Sequence, residues 1–223
     1  MGLSVVVICH DVAEFLPACL DSLLAQDRPA TQVILVNDGS SDETGRICEQ
    51  YAAAHQGWLV VTGPGSGPGG ARELGLAHVT EEFLAFVDGD DVVPPEGFRA
   101  LLNTLSRTGS DMASGDVLRY DGMHLTPSGP HRNAIQATRL RTTIDRTPSL
   151  MYDTTAWNKV FRTDFWREAG LHFQANVTYE DLPVMIAAHV RAGSVDVLKT
   201  PVYWWRRRID SDASITQRRG ELA

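Results

Sequence analysis

Residues 83–95 read FLAFVDGDDVVPP: an apolar run fit for a buried strand, then three aspartates within four positions, Asp88, Asp90 and Asp91. Carboxylates this close repel one another, and nothing in folding calls for them. The arrangement makes sense if a cation, or a substrate carrying one, is held at the strand's tip. Similar strands lie upstream. LSVVVIC (3–9) leads into His10 and Asp11, TQVILVND (31–38) into Gly39 and Ser40, and WLVVT (58–62) into the glycine-rich GPGSGPGG. Continuous β-branched runs mark strands covered on both faces. Helical stripes separate them. The first carries Phe15, Leu16, Cys19, Leu20, Leu23 and Leu24 behind an Asp11–Glu14 capping box; the second carries Ile47, Cys48, Tyr51 and Ala52. The third runs through Ala71, Leu74 and His78; the fourth, bounded by proline and glycine, through Phe98, Leu101, Leu102 and Leu105. This alternation predicts an α/β, Rossmann-like, three-layer fold: a mostly parallel central sheet with helices on both faces.

After residue 110 the pattern loosens. Residues 111–122 read as a strand, and the polar stretch 121–150 as a long loop, which at this length is usually functional or disordered. A short helix is expected over 162–170 and a longer one over 179–193, with Leu182, Met185, Ile186 and His189 inward; 195–205 reads as a closing strand. The 223 residues suit one domain, with a nucleotide-binding half (1–110), an acceptor and catalytic half (111–216) and a tail (217–223).

Composition is that of an ordinary soluble protein, and a net charge of −8 argues against nucleic acid as a partner. Cys9, Cys19 and Cys48 lack metal-like spacing and fall on apolar faces. Buried free thiols are expected, hence a reducing, cytoplasmic compartment. No apolar run reaches the length of a membrane span, and MGLSVVVICHD is not a signal peptide.

Parallel α/β sheets bind ligands outside the carboxyl ends of their strands. Acid stands at three of the four strand ends here, and the glycine loop at the other. Each has a plain folding reason singly: Asp11 as a cap, Asp38-Gly39-Ser40 as a turn. Together on one edge they point to a ligand. One reading takes Gly65, Gly67 and Gly70 as a dinucleotide fingerprint, with Asp88 eighteen residues on. Two strands precede the loop, however, and Asp90 and Asp91 would be surplus beside a pyrophosphate. The other reading takes the acids as primary: Asp88 and Asp90, flanking a glycine, hold Mg²⁺ or Mn²⁺ whose remaining ligands are water and a diphosphate.

The chain resembles family 2 of the nucleotide-sugar glycosyltransferases, of GT-A fold. The similar segments are SVVVICHDVAEFLPACLDSLLAQ, VILVNDGSSDET, GGARELGLAHVTEEFLAFVDGDD, AWNKVFRTDFW and YEDLPV, within residues 3–216. Ile8, His10 and Asp11 depart from the family's usual proline, tyrosine and asparagine beside the nucleobase. The resemblance implies an inverting, metal-dependent transferase with a UDP-sugar donor and a carbohydrate or polyol-phosphate acceptor, in cell-wall or surface-polysaccharide synthesis. It implies that Asp38 contacts uracil or ribose with Asp11 beside it, that Arg72 faces the nucleotide, that Asp88 contacts ribose or sugar, and that Asp90 binds the metal. The base falls in Glu180-Asp181, with Asp181 first; Tyr179 and Trp157 are candidates to pack on a sugar ring. Arg207, with Ser214, would close over the diphosphate, unless Arg206–Arg208 is merely a solvated basic stretch. Peripheral attachment to the inner membrane face through a further domain fits the same resemblance. An inert binding module of the same fold is the rival.

Overall fold

The computed structural model describes residues 1–207. Four strands, β1 (Leu3–Cys9), β2 (Gln32–Asp38), β3 (Trp58–Gly63) and β4 (Phe83–Asp88), pair in parallel in the order β3-β2-β1-β4. The crossovers are α1 (Leu16–Leu24), α2 (Thr44–Ala54) and α3 (Gly67–Leu76), with α4 (Gly97–Thr108) following β4. The sheet then continues through β8 (Lys159–Arg162), β5 (Met112–Tyr120), β9 (Val195–Arg206) and β7 (Arg139–Thr142), with β6 (Leu125–Pro127) hairpinned onto β5. Strand β8 runs antiparallel to both β4 and β5, so β5 and its parallel neighbour β9 point the same way as β1–β4. The expected three-layer, mostly parallel α/β sheet is therefore present.

Alternating side chains of the central strands build two cores. Val5, Val7, Leu35, Ala85 and Val87 meet α1 and α4 through Leu16, Leu20, Leu101 and Leu105. Val6, Ile34, Val36, Leu84 and Phe86 meet Ala71 of α3, Trp166 of α6 (Thr163–Glu168) and Met185 and Ala188 of α7 (Asp181–Arg191). All three cysteines are buried and free, as expected.

Several expectations need correcting. Asp11 and Glu14 form no capping box: α1 starts beyond Phe15 with no side-chain cap, and Leu24 lies 40% exposed. His78 falls past α3 and is exposed. Residues 121–150 are not a bare loop; they hold β6, α5 (Gly129–Ala134), β7 and the start of a 3-10 turn at Pro148–Tyr152. The inward face of α7 is Val184, Met185, Ala188 and His189, while Leu182 is 45% exposed. Ser214, Arg208 and the tail from 217 lie outside the described residues. Among the described residues, no helix is long and apolar enough to cross a membrane.

Candidate active site

The carboxyl ends of β1, β2 and β4 bring Asp11, Asp38, Asp88 and Asp90 to one edge. Asp11 sits at φ 47°, a left-handed conformation unusual for a non-glycine residue. Its Oδ1 accepts from Ser41 N (2.7 Å), Ser41 Oγ (3.2 Å) and Asp42 N (3.3 Å). These bonds, the Ser41 amide foremost, hold its carboxyl below the usual range. Asp11 is exposed and ties the loop after β1 to the loop after β2. Asp38 is placed differently. It is 2% exposed, and its Oδ1 accepts from Gly65 N (3.0 Å) and Ser66 N (3.1 Å), so it organises the glycine loop from beneath.

That loop does not offer a pyrophosphate cradle. Gly65 and Gly67 adopt φ 84° and 76°, which only glycine accepts readily. The Gly65 and Ser66 amides already face Asp38. The start of α3 is covered by residues 174–176: Asn176 N donates to Ser66 O (2.9 Å), and a Cβ on Gly69 would lie 2.1 Å from Gln174 O. The dinucleotide reading fails on this packing.

The aspartates after β4 take three different surroundings. Asp88 is 27% exposed at its side chain and accepts from Arg72 Nη2 at 2.7 Å. Burial foremost, with Asp90, Glu180 and Asp181 nearby, pushes its carboxyl up to about 6 against the pull of Arg72. Gly89 is packed so that a Cβ would lie 2.9 Å from Ile8 O, which fixes the turn. Asp90 is half-buried, and its carbonyl accepts from Arg206 Nε at 2.5 Å. Asp91 turns inward: it is 1% exposed, accepts from Arg206 N at 2.7 Å and lies beside Tyr203. It anchors the end of β9. Among the described residues, no group of three or more His, Cys, Asp or Glu side chains is arranged to hold a metal.

Arg72 is not a surface residue. It is 2% exposed, its guanidinium bridging Asp88 and the carboxylate of Glu180. This ion pair joins β4 to the start of α7, where Glu180 is 6% exposed and Asp181 half-buried. Burial foremost raises the Asp181 carboxyl, with Arg72 and Lys159 opposing and Glu180 adding to the rise. Of the aromatic candidates, Tyr179 is 44% exposed at φ 59°. Trp157 is 6% exposed and stacked on Tyr203 at 4.3 Å between ring centroids, so it is core and not a sugar platform. Arg207, exposed, donates its backbone N–H to Tyr120 O (2.8 Å) and lines a cavity of about 400 Å³ with Arg119, Tyr120, Asp121, His124 and Thr126.

Two supports escaped the sequence reading. Glu73, next to the expected Arg72, holds the Phe173 backbone N–H with its carboxylate. Asp153 pairs with the wholly buried Lys159 at 2.7 Å, beneath α7. Lys159 belongs to AWNKVFRTDFW, but nothing near Asp153 in the sequence marks it.

The family-wide sequence profile described as Glycosyl transferase family 2 matches residues 4–170. The chain is 27% identical to the uncharacterized glycosyltransferase EpsJ of Bacillus subtilis, covering 93% of this chain and 62% of EpsJ. It is 26% identical to the poly(ribitol-phosphate) beta-N-acetylglucosaminyltransferase TarS of Staphylococcus aureus, covering 95% of this chain and 36% of TarS. The crystal structure of S. aureus TarS 1–349 matches with a TM-score of 0.82 at 25% identity, covering 92% of this chain and 60% of that one. The same protein in complex with UDP-GlcNAc shares the fold at a TM-score of 0.83 and 24% identity, over 96% and 62% of the two chains. The chain thus spans less than two thirds of the length of these relatives.

Proposed function

The chain belongs to glycosyl transferase family 2, and from that premise we propose that it moves a sugar, with inversion, from a UDP-sugar to a hydroxyl of a carbohydrate or polyol-phosphate acceptor in cell-wall or surface-polysaccharide synthesis. One observation carries the reading: a single buried arginine brings the acids after β4 and the acids opening α7 to one point. Donor and base must meet in this way. The acceptor class follows relatives named for transfer to poly(ribitol-phosphate). The three buried thiols suit a cytoplasmic setting.

Asp181 is the base in this reading. Glu180 is engaged by Arg72, whereas Asp181 is half-buried at the helix start. Its raised carboxyl is better matched to taking a proton near neutral pH than an ordinary aspartate. It removes the acceptor's hydroxyl proton as that oxygen attacks the anomeric carbon from the face opposite the nucleotide. Asp11 and Asp38 frame the nucleoside end, the latter by shaping the Gly65–Ser66 turn. Asp88 faces ribose or sugar, and Arg207 the diphosphate.

A divalent cation fits the acids after β4. Among the described residues Arg72 is the cation paired directly with Asp88, and burial with neighbouring acids still raises that carboxyl. Asp90 adds a hard oxygen donor. With no cluster of three ligands among the described residues, Asp90, helped by Asp88, would leave most positions to water and diphosphate, the pattern Mg²⁺ favours. Bound there, Mg²⁺ or Mn²⁺ would offset charge on the leaving diphosphate.

The test is UDP release from a panel of UDP-hexoses with Mg²⁺. Asp181→Asn is expected to keep UDP affinity and lose about a hundredfold or more in rate. Asp90→Asn is expected to weaken UDP binding in Mg²⁺ as well. UDP binding without release from any donor would favour the inert module.

A further inference from the structure

The segment approaching Asp181 is held by α3 at three places. The Glu73 carboxylate takes the Phe173 amide, Ser66 O takes the Asn176 amide at 2.9 Å, and Arg72 takes Glu180. Between these points the chain is bent into left-handed conformations at Asn176 (φ 56°) and Tyr179 (φ 59°). Neither is glycine, so the surrounding contacts must hold the bend. Arg72 is 2% exposed and lies over the Phe173 ring at 5.4 Å, so its guanidinium reaches Asp88 and Glu180 from the protein interior.

We propose that Arg72 and Glu180 are positioning residues: the Asp88–Arg72–Glu180 bridge fixes where Asp181 stands and couples its charge to the donor end of the site. Arg72 then acts through Asp181 and not by touching the nucleotide, and Glu180 is neither base nor ligand. The inference rests on Asp181 being the base. Among the described residues, the charged groups around Asp181 are Arg72 from α3, Asp88 from β4, Lys159 from β8 and Glu180 beside it.

Three measurements test this on the folded chain: the Asp181 carboxyl titration by ¹³C NMR with labelled aspartate, UDP affinity in Mg²⁺ by calorimetry, and UDP release from UDP-GlcNAc. Glu180→Gln removes a like charge, so the Asp181 midpoint is expected to move to lower pH. Its UDP affinity is expected to stay within about twofold and its release to fall about tenfold. Arg72→Lys keeps the charge but not the two-armed bridge. Its midpoint is expected to move less than that of Glu180→Gln, with release falling by a similar factor. Thermal melts check folding; should Arg72→Lys unfold, Glu180→Gln decides alone. An unmoved Asp181 midpoint in folded Glu180→Gln would overturn the coupling, and a tenfold loss of UDP affinity in folded Arg72→Lys would return Arg72 to the donor site. Should Asp181→Asn keep wild-type release, the base assignment fails by itself, and the titration and the affinities still decide the bridge.

Discussion

Lys159 carries its ammonium wholly out of water, satisfied by Asp153 Oδ1, Thr155 O and Asn158 Oδ1, each at 2.7 Å. Burial lowers this lysine, while Lys159 and His189 hold Asp153 down at about 2 against the penalty of burial. His189, on α7, lies 3.8 Å from Asp153 Oδ2 and is 1% exposed. Burial depresses it to about 4, so it stays neutral in the fold where an unfolded chain would begin to protonate near 6.5. The sign follows: between about pH 6.5 and 4 the unfolded chain binds the extra proton, so stability is lost as pH falls through that window. His189→Gln lacks this proton. Urea melts at pH 7.5 and 5.0 are expected to show the wild type losing about 2 kcal/mol relative to the variant on going to the lower pH. At this scale the acids at strand ends were legible, because a polar residue after an apolar run needs a reason. Which way each one points was not. Asp88, Asp90 and Asp91 read alike in a string, yet one meets Arg72, one is half-buried and one pins β9.

Among the elements, α3 decides most about the site. A Cβ at Gly69 would lie 2.1 Å from Gln174 O, against backbone that has little room to yield. Gly69→Ala is expected to lower stability by about 1–3 kcal/mol, the scale of overpacking, and to push residues 174–180 away. Catalysis should suffer more than donor binding: a fall in UDP release several times larger than the fall in UDP affinity is the expected result. The first four strands and helices were legible because their apolar residues recur at one period over a full element. Strand β8 escaped because it has four residues, beginning with a buried lysine that no propensity would place in a sheet interior. The elements of 121–150 escaped for the opposite reason: β6 and most of β7 are exposed and show no alternation. The inward face of α7 was misread because Leu182 looks like core, yet it sits in the first turn at the rim of the site.

For the molecule as a whole, the −8 charge and the acids gathered on one edge make a bare diphosphate an unwelcome guest. UDP with Mg²⁺ at a hundred times its Kd is expected to add about 2.7 kcal/mol, roughly 5–10 °C in a chain of this size. The same UDP in EDTA should give a much smaller shift and NAD none, which differential scanning fluorimetry checks. The reversed strand β8 also matters while the chain is still on the ribosome. The parallel block β1–β4 can close as soon as β4 emerges, but the strand that covers β4's outer edge lies about 70 residues further on. At about 5–20 residues per second, that edge waits roughly 4–14 s for its partner. It is an apolar strand with unpaired amides, the kind of surface that recruits the wrong neighbour. The nascent chain therefore passes through a stage when it most needs a chaperone, before any residue of the Glu180–Asp181 pair has been made.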